Sequence, residues 1–175
     1  MKILLISANT YDIPYKVYPL GVSYLKTFIN DHYADWEVSL YDFNFGSYSD
    51  LEQYLKTNSF DLIGLSLRNS DDVNYYAKES FIQHYKNICA IIRTQTDAPL
   101  VAGGPCISIF PEELYNELNV DYVIPGEGEN TICELILSIK NKTSIDNIEG
   151  LLYKDEKGSF QFKKREHFAS NLNVR

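Results

Sequence analysis

Cysteine is scarce in this sequence, and its three copies, Cys89, Cys106 and Cys133, follow no recognised spacing. An odd number of widely separated cysteines matches neither a disulfide framework nor the paired thiolates of a structural metal site. We therefore expect three free, small and largely buried apolar side chains. The sequence predicts no metal ligands.

Long apolar runs are also missing. The first run, Ile3–Ile6, is far too short for the hydrophobic region of a signal peptide. No other segment approaches the roughly 18 apolar residues that a transmembrane helix needs. These absences predict a cytosolic, or cytoplasmic, protein with no membrane partner.

Positive charge is in deficit, because 16 Lys and Arg stand against 24 Asp and Glu and give a formal net charge of −8. The densest basic stretch, Lys163-Lys164-Arg165, is short and is followed directly by Glu166. Proteins that bind nucleic acids usually present a broad basic patch. We therefore expect no nucleic-acid partner.

The common nucleotide-binding motifs are absent as well. The first strand-like run is followed by Ala8-Asn9-Thr10 and not by G-x-G-x-x-G, and no G-x-x-x-x-G-K-[ST] occurs, which disfavours NAD and ATP. The loop from Asn9 to Tyr18 lacks the Ser/Thr/Gly run of an FMN site, which makes FMN a weaker alternative.

No catalytic constellation of nucleophile, base and orienting group is visible. We expect His32 and His84 on helix faces and His167 in the tail, all away from the ligand end of the sheet. Glu127 and Glu129 are the best-placed carboxylates, but no nucleophile accompanies them, so a hydrolase or transferase built on this pair is disfavoured.

What the chain does have is a regular alternation of short apolar runs and stretches of helical periodicity, which is typical of βαβ units. It predicts an α/β fold: a doubly wound (flavodoxin-like or Rossmann-like) parallel five-stranded sheet with helices on both faces, plus a C-terminal β-hairpin that is appended to it. The predicted strands are Lys2–Ser7, Trp36–Phe43, Asp61–Leu67, Leu100–Ala102 and Tyr122–Ile124. The first predicted helix begins near Pro19, and the other four span Ser49–Lys56, Asp72–Gln95, Pro111–Leu118 and Asn130–Lys140. The predicted N-caps are Ser49 for the second helix, Asp71 or Asp72 for the third, and Asn130 or Thr131 for the fifth. The hairpin strands are Glu149–Tyr153 and Phe160–Lys163.

Ligands of open α/β sheets bind beyond the carboxyl ends of the strands, so the loops there supply the candidate binding residues. The pair Gly103-Gly104 is compatible with a ligand lying against bare backbone and equally with a tight turn. Ser66 is suited to bond a ligand or to cap its own backbone. The candidates are Asn9, Thr10, Ser66, Leu67, Arg68, Asn69, Gly103, Gly104, Pro105, Gly126, Glu127 and Gly128.

Five segments, in order and with matching spacing, carry a family resemblance. They are Lys2–Ser7, Tyr18-Pro19-Leu20-Gly21 with Tyr24-Leu25, Asp61–Ser66, Val101-Ala102-Gly103-Gly104-Pro105 and Asp121–Glu129. With Gly150-Leu151-Leu152-Tyr153, they resemble the N-terminal B12-binding domain of cobalamin-dependent radical SAM proteins over residues 1–155. The resemblance implies a cobalamin-binding domain at 1–145, and a hairpin and linker at 146–175 that lead to a radical SAM domain.

The resemblance also implies roles for single residues. Cobalamin would bind base-off at the carboxyl edge of the sheet, with its dimethylbenzimidazole tail beside the third and fourth strands. Ser66 would contact that tail, and Gly103 and Gly104 would leave room for it. Gly126 and Glu127 would border the corrin, while Asn9 and the loop to Tyr18 would face its lower side.

Two departures from related proteins matter. The loop after the first strand lacks the D-x-H-x-x-G whose histidine ligates cobalt in methionine-synthase-type domains. The chain also lacks the C-x-x-x-C-x-x-C run of a [4Fe–4S] cluster, and residues 156–175 are too few for a barrel. The chain is therefore either a piece of a larger parent protein, which we favour, or a stand-alone binding module. We expect S-adenosylmethionine and the cluster only in that parent protein, and this chain to be a non-catalytic part that presents cobalamin for methyl transfer or related radical chemistry. The alternative is a flavodoxin-like regulatory or interaction domain with a vestigial ligand site.

Overall fold

The computed structural model describes residues 1–72 and 79–166. The strands are β1 (Lys2–Ser7), β2 (Glu37–Asp42), β3 (Leu62–Ser66), β4 (Leu100–Gly103), β5 (Tyr122–Ile124), β6 (Leu152–Lys154) and β7 (Phe160–Phe162). The helices are α1 (Leu20–His32), α2 (Tyr48–Thr57), α3 (Ile82–Gln95), α4 (Pro105–Ile109), α5 (Pro111–Leu118) and α6 (Glu129–Asn141). None of the helices in these described ranges is both long and apolar enough to cross a membrane.

All seven strands form one sheet in the order β2-β1-β3-β4-β5-β6-β7. The five strands from β1 to β5 pair in parallel, whereas β6 pairs antiparallel with both β5 and β7. The α/β prediction is confirmed, but the hairpin is not appended: it continues the sheet beyond β5. This pairing covers the edge of β5, which would otherwise expose unpaired backbone groups.

Strands β1, β3, β4 and β5 bury side chains on both faces, as a parallel sheet covered by helices requires. On β1, Ile3 and Leu5 belong to one apolar cluster while Leu4 and Ile6 belong to the other. Helices α1 and α6 supply residues to the first cluster, and α2, α3 and α5 supply residues to the second. We call these two sides the α1/α6 face and the α2/α3 face.

Several helix starts differ from the sequence prediction. Helix α3 begins at Ile82 and not at Asp72, because Asp71 forms an isolated bridge with Ser80 instead of capping a helix. The predicted helical residues 73–78 lie outside the described residues. Gly128 occupies the N-cap position of α6, and the Thr131 hydroxyl bonds the Glu149 carbonyl oxygen at 2.7 Å instead of capping.

Two further corrections concern α2 and α4. The cap of α2 is Ser47, not Ser49, and Ser47 forms a capping box with Asp50. Helix α4 was not predicted, since its five residues are too few to show a period. By contrast, β5 and α5 are confirmed residue for residue.

Candidate cofactor-binding site

A cavity of about 200 Å³ opens at the carboxyl ends of β3, β4 and β5 on the α1/α6 face. Side chains alternate along a strand, so residues 64 and 66 of β3 and residue 103 of β4 point to the same side as Leu62 and Val101. These positions hold Gly64, Ser66 and Gly103, which have little or no side chain. Ser66 and Gly103 leave the strand ends open to the cavity, whereas a Cβ atom at Gly64 would lie 2.8 Å from the Leu5 side chain, so Gly64 makes room for Leu5.

The remaining walls are mainly apolar. Helix α1 contributes Gly21, Val22 and Leu25, and α6 contributes Ile132. Polar side chains are few: Ser66 at the end of β3, Glu127 in the loop after β5, and Glu129 at the start of α6. An apolar slot with a few polar groups at its edge is the usual form of a small-molecule site.

The two adjacent glycines have different roles. A Cβ atom added at Gly103 would meet only the Ile124 carbonyl oxygen at 3.6 Å, an ordinary contact. A Cβ atom added at Gly104 would lie 2.6 Å from the Leu67 carbonyl oxygen, and the φ of Gly104 is +99°. Gly103 thus leaves the cavity open, whereas Gly104 lets the loops after β3 and β4 pack backbone against backbone.

A second cavity, of about 260 Å³, adjoins the first near the switch in strand order between β1 and β3. Four residues border both cavities and separate them: Ser66, Gly21, Val22 and Pro105. The second cavity adds residues from the loop after β1 and from the loop after β3. It is lined by Ser7, Asn9, Val17, Tyr18, Pro19, Leu20 and Arg68 besides the shared residues.

Most of the predicted binding residues meet around these two cavities. Three do not line either one: Thr10, Leu67 and Asn69. Leu67 is fully buried in the core of the α2/α3 face, and the Asn69 carbonyl oxygen accepts a hydrogen bond from the Tyr85 hydroxyl at 2.7 Å. The predicted residues that line a cavity are Asn9, Ser66, Arg68, Gly103, Gly104, Pro105, Gly126, Glu127 and Gly128.

Asn44 was missed by the sequence analysis, although it organises the second cavity. This buried residue accepts a hydrogen bond at its Oδ1 from the Asn9 amide at 3.2 Å and donates from its own amide to the Val17 carbonyl oxygen at 3.0 Å. The Asn9 amide also donates to the Tyr11 carbonyl oxygen at 3.2 Å. Asn44 thereby holds both ends of the loop after β1. The only feature of the sequence that could have indicated Asn44 is its position just after β2.

Arg165 was also missed, and it ties the segment after β7 to the rim of the first cavity. Its guanidinium donates to the Pro125 carbonyl oxygen at 3.3 Å and to the Thr131 hydroxyl at 3.2 Å. The guanidinium lies against Gly126 and Gly150, and a Cβ atom at residue 150 would collide with it. The glycine at 150 therefore makes space for the arginine.

His84 lies closer to the ligand end of the sheet than we predicted. Its Nε2 is 2.9 Å from the carbonyl oxygen of Ala8, the residue that follows β1. Its Nδ1 is 2.6 Å from the hydroxyl oxygen of Tyr48. The reason for the misplacement is that α3 begins ten residues later than predicted, which brings residue 84 into the first turn at the carboxyl edge.

The titratable groups give no sign of a nucleophile. Burial raises the pKa of the Cys89 and Cys133 thiols to about 12, so both stay protonated and unreactive near neutrality. All three cysteines are free and buried, as expected. Within residues 1–72 and 79–166, no group of three or more His, Cys, Asp or Glu side chains is arranged to hold a metal ion.

The fold and the cavities define a class: a doubly wound α/β domain with cavities at the carboxyl edge of the sheet, beside the switch in strand order, where ligands of such folds bind. Residues 6–136 match the family model described as "B12 binding domain". The chain therefore belongs to the B12-binding domain family, and the family resemblance in the sequence is confirmed.

Curated relatives are methyltransferases. The chain is 32% identical over 123 residues to tryptophan 2-C-methyltransferase of Streptomyces laurentii, which covers 69% of this chain and 19% of that protein. It is 27% identical over 190 residues to cytidylyl-2-hydroxyethylphosphonate methyltransferase of Streptomyces wedmorensis, covering 98% and 34%. The chain thus spans a fifth to a third of the length of these relatives.

Two solved structures of larger enzymes contain a domain with the same fold as this chain. The radical S-adenosylmethionine methyltransferase TsrM from Kitasatospora setae, with cobalamin and a [4Fe-4S] cluster bound, superposes with a TM-score of 0.84 at 28% identity. The match covers 99% of this chain and 30% of TsrM. The cobalamin-dependent S-adenosylmethionine radical enzyme OxsB superposes with a TM-score of 0.80 at 19% identity, covering 95% of this chain and 22% of OxsB, and shares the fold.

Proposed function

We propose that this chain binds base-off cobalamin, with the nucleotide tail in the first cavity and the corrin over the carboxyl edge of the sheet. The observation that carries the proposal is the cavity that Ser66 and Gly103 leave open at the ends of β3 and β4 on the α1/α6 face. Membership of the B12-binding domain family supports the identity of the ligand.

The size and lining of the cavity fit part of such a ligand. Pockets that enclose a whole drug-sized molecule have volumes of about 300–1,000 Å³, so the first cavity, at about 200 Å³, is too small for cobalamin as a whole. A flat dimethylbenzimidazole ring suits its apolar walls. The corrin would then remain at the rim, over the second cavity and the loops around it.

Single residues have roles in this proposal. Ser66 borders both cavities and would hydrogen-bond the tail where it leaves the corrin. Gly126, Glu127 and Gly128 would border the ring on one side. Asn9 and Arg68, which line the second cavity, would face its lower side. Thr10, Leu67 and Asn69 line neither cavity, so they would contribute only indirectly, by holding the loops after β1 and β3 in position.

Histidine ligation of the cobalt by this chain has little support. The loop between β1 and α1 contains no histidine. His84 is the nearest alternative, but its two ring nitrogens already lie within hydrogen-bonding distance of Ala8 and Tyr48. The proposal therefore assigns no protein ligand to the lower face of the cobalt.

The activity belongs, in this proposal, to a larger parent protein. Cobalamin, when bound, supplies a cobalt atom that carries a methyl group. The residues of this chain hold the tail, shield it from water and place the ring at the sheet edge. A radical SAM domain with S-adenosylmethionine and a [4Fe–4S] cluster would follow residues 146–175 and carry out methyl transfer in the cytoplasm. The names of the relatives support this assignment.

Incubation with hydroxocobalamin tests the proposal. The purified chain is mixed with an excess of the cofactor and desalted, its visible spectrum is recorded, and the binding is titrated by calorimetry. We expect close to one cobalamin per chain with a base-off spectrum. A colourless protein that gives no binding heat would contradict the proposal and favour the alternative, a domain with a vestigial site. Binding with a base-on spectrum would contradict insertion of the tail.

A further inference from the structure

Glu129 is the first residue of α6 and borders the first cavity. Within the part of the chain that the structure describes, its Oε2 is the only buried side-chain nitrogen or oxygen atom without a hydrogen-bond partner. Leaving a buried acceptor unsatisfied costs free energy, and the cost is larger for charged groups. Such an exception in an otherwise satisfied structure calls for a donor from outside the chain.

No residue that the structure describes offers a cation to this carboxylate from within the cavity. None of the residues that line the first cavity is Lys, Arg or His. The neighbouring walls are apolar or glycine, including Ile132 on the next turn of α6 and Ile124 at the end of β5. The described lining thus leaves the Glu129 carboxylate without a cationic partner and available to a donor group of a molecule that enters the cavity.

The position of Glu129 explains how the protein tolerates this carboxylate. Residues in the first turn of a helix lie next to unpaired backbone N–H groups and the positive end of the helix dipole, which favours a negative charge there. The side chain is thus held at the cavity as an acceptor. The same negative charge makes this helix end unsuitable for a phosphate, so the complementary group is a neutral donor.

We propose that Glu129 accepts a hydrogen bond from a ribose hydroxyl of the cobalamin nucleotide tail. The inference rests on the proposed function and deepens it by naming a residue that reads the tail. Within cobalamin, the tail combines an apolar base with a sugar that carries hydroxyl donors. The apolar walls receive the base, and Glu129 at the start of α6 receives the sugar.

The test compares cobalamin with cobinamide, which has the corrin but lacks the nucleotide tail. Calorimetric titrations of both ligands are made with the whole chain and with Glu129→Ala and Glu129→Gln. A hydrogen bond to a charged group predicts that Glu129→Ala weakens cobalamin binding about 10- to 100-fold. Glu129→Gln should lose less, because its amide oxygen still accepts. Cobinamide affinity should stay unchanged in both variants.

Glu134→Ala is the matched control, since Glu134 lies exposed on the same helix and outside both cavities. We expect it to bind both ligands as the unmodified chain does. A thermal-unfolding measurement without ligand gives a second readout. Removal of an unsatisfied buried acceptor should leave the melting temperature of Glu129→Ala equal or higher, whereas a merely structural glutamate would lower it.

Three results would overturn the inference: unchanged cobalamin affinity in Glu129→Ala, equal weakening of cobalamin and cobinamide, or a lower melting temperature together with weaker binding of both ligands. Failure of the proposed function is distinguishable, because the unmodified chain would then bind neither ligand. That result is visible before any variant is measured.

Discussion

The imidazole of His84 bonds the backbone carbonyl oxygen of Ala8 across 2.9 Å and so links α3 to the carboxyl end of β1. A carbonyl oxygen can only accept, so Nε2 must carry the proton. Neutral Nδ1 is then an acceptor, and the Tyr48 hydroxyl donates to it at 2.6 Å. One neutral tautomer satisfies both neighbours, and Phe43 packs edge-on against the ring.

This arrangement predicts a pH-dependent stability. Burial lowers the pKa of His84 below its ordinary value, although the Ala8 carbonyl oxygen opposes the shift. The unfolded chain therefore takes up this proton at a higher pH than the folded chain, and stability falls as pH drops through the ordinary histidine range. We expect the melting temperature to decrease between about pH 7.5 and about pH 5.5.

The control for this prediction is a pair of histidine variants. His84→Gln removes the titrating group and should show a smaller decrease over the same pH range. His32→Gln, changed at the end of α1, should retain the decrease of the unmodified chain. An equal pH dependence in all three proteins would show that His84 is not its source.

Gly103→Leu tests whether the first cavity takes the nucleotide tail. The new side chain would project into the cavity and meet apolar walls, so we expect unfolding free energy within about 1 kcal/mol of the unmodified chain. Cobalamin affinity should fall more than about tenfold, and Gly103→Ala should lose less. Cobinamide binding, measured by the same calorimetry, should be retained. Equal loss of both ligands would place the tail elsewhere.

Gly104→Ala should lower the stability of the fold and should not act by filling the cavity. A φ of +99° is strained for any residue with a Cβ atom, and the Leu67 backbone leaves no space for one. We expect a loss of about 2–4 kcal/mol in unfolding free energy, measured by urea denaturation. Gly21→Ala is the control, since no atom lies within 4 Å of its added Cβ. It should stabilise α1 by about 0.5–1 kcal/mol.

Arg165→Ala should loosen the attachment of the segment after β7 to the rim of the first cavity. The variant loses the bonds to the Pro125 carbonyl oxygen and the Thr131 hydroxyl and leaves a gap beside Gly150. We expect a loss of about 1–2 kcal/mol in urea denaturation, together with faster proteolysis of residues 125–128. Lys164→Ala, changed at an exposed neighbour, should have little effect. Similar losses in both variants would argue against the guanidinium contacts.

Local signals in the sequence predicted much of the fold. Pro111 opens α5, and turn residues bound β5 on both sides, so these elements were found residue for residue. Short apolar runs placed β1 and β3 to within a residue. At α2 the sequence offered two possible capping residues, Ser47 and Ser49, and the predicted cap was wrong. At α4 it offered too few residues for a period, and the helix was not predicted.

The sequence by itself determined the α/β class, the strands and the loops that reach the carboxyl edge, because apolar periodicity and turn chemistry act over a few residues. Only the tertiary structure decided which face Ser66 and Gly103 leave open, since that depends on how the strands pair and which helices cover each side. It also decided that the hairpin extends the sheet and that Arg165 reaches Pro125. These are contacts between segments far apart in the chain, and no local pattern encodes them.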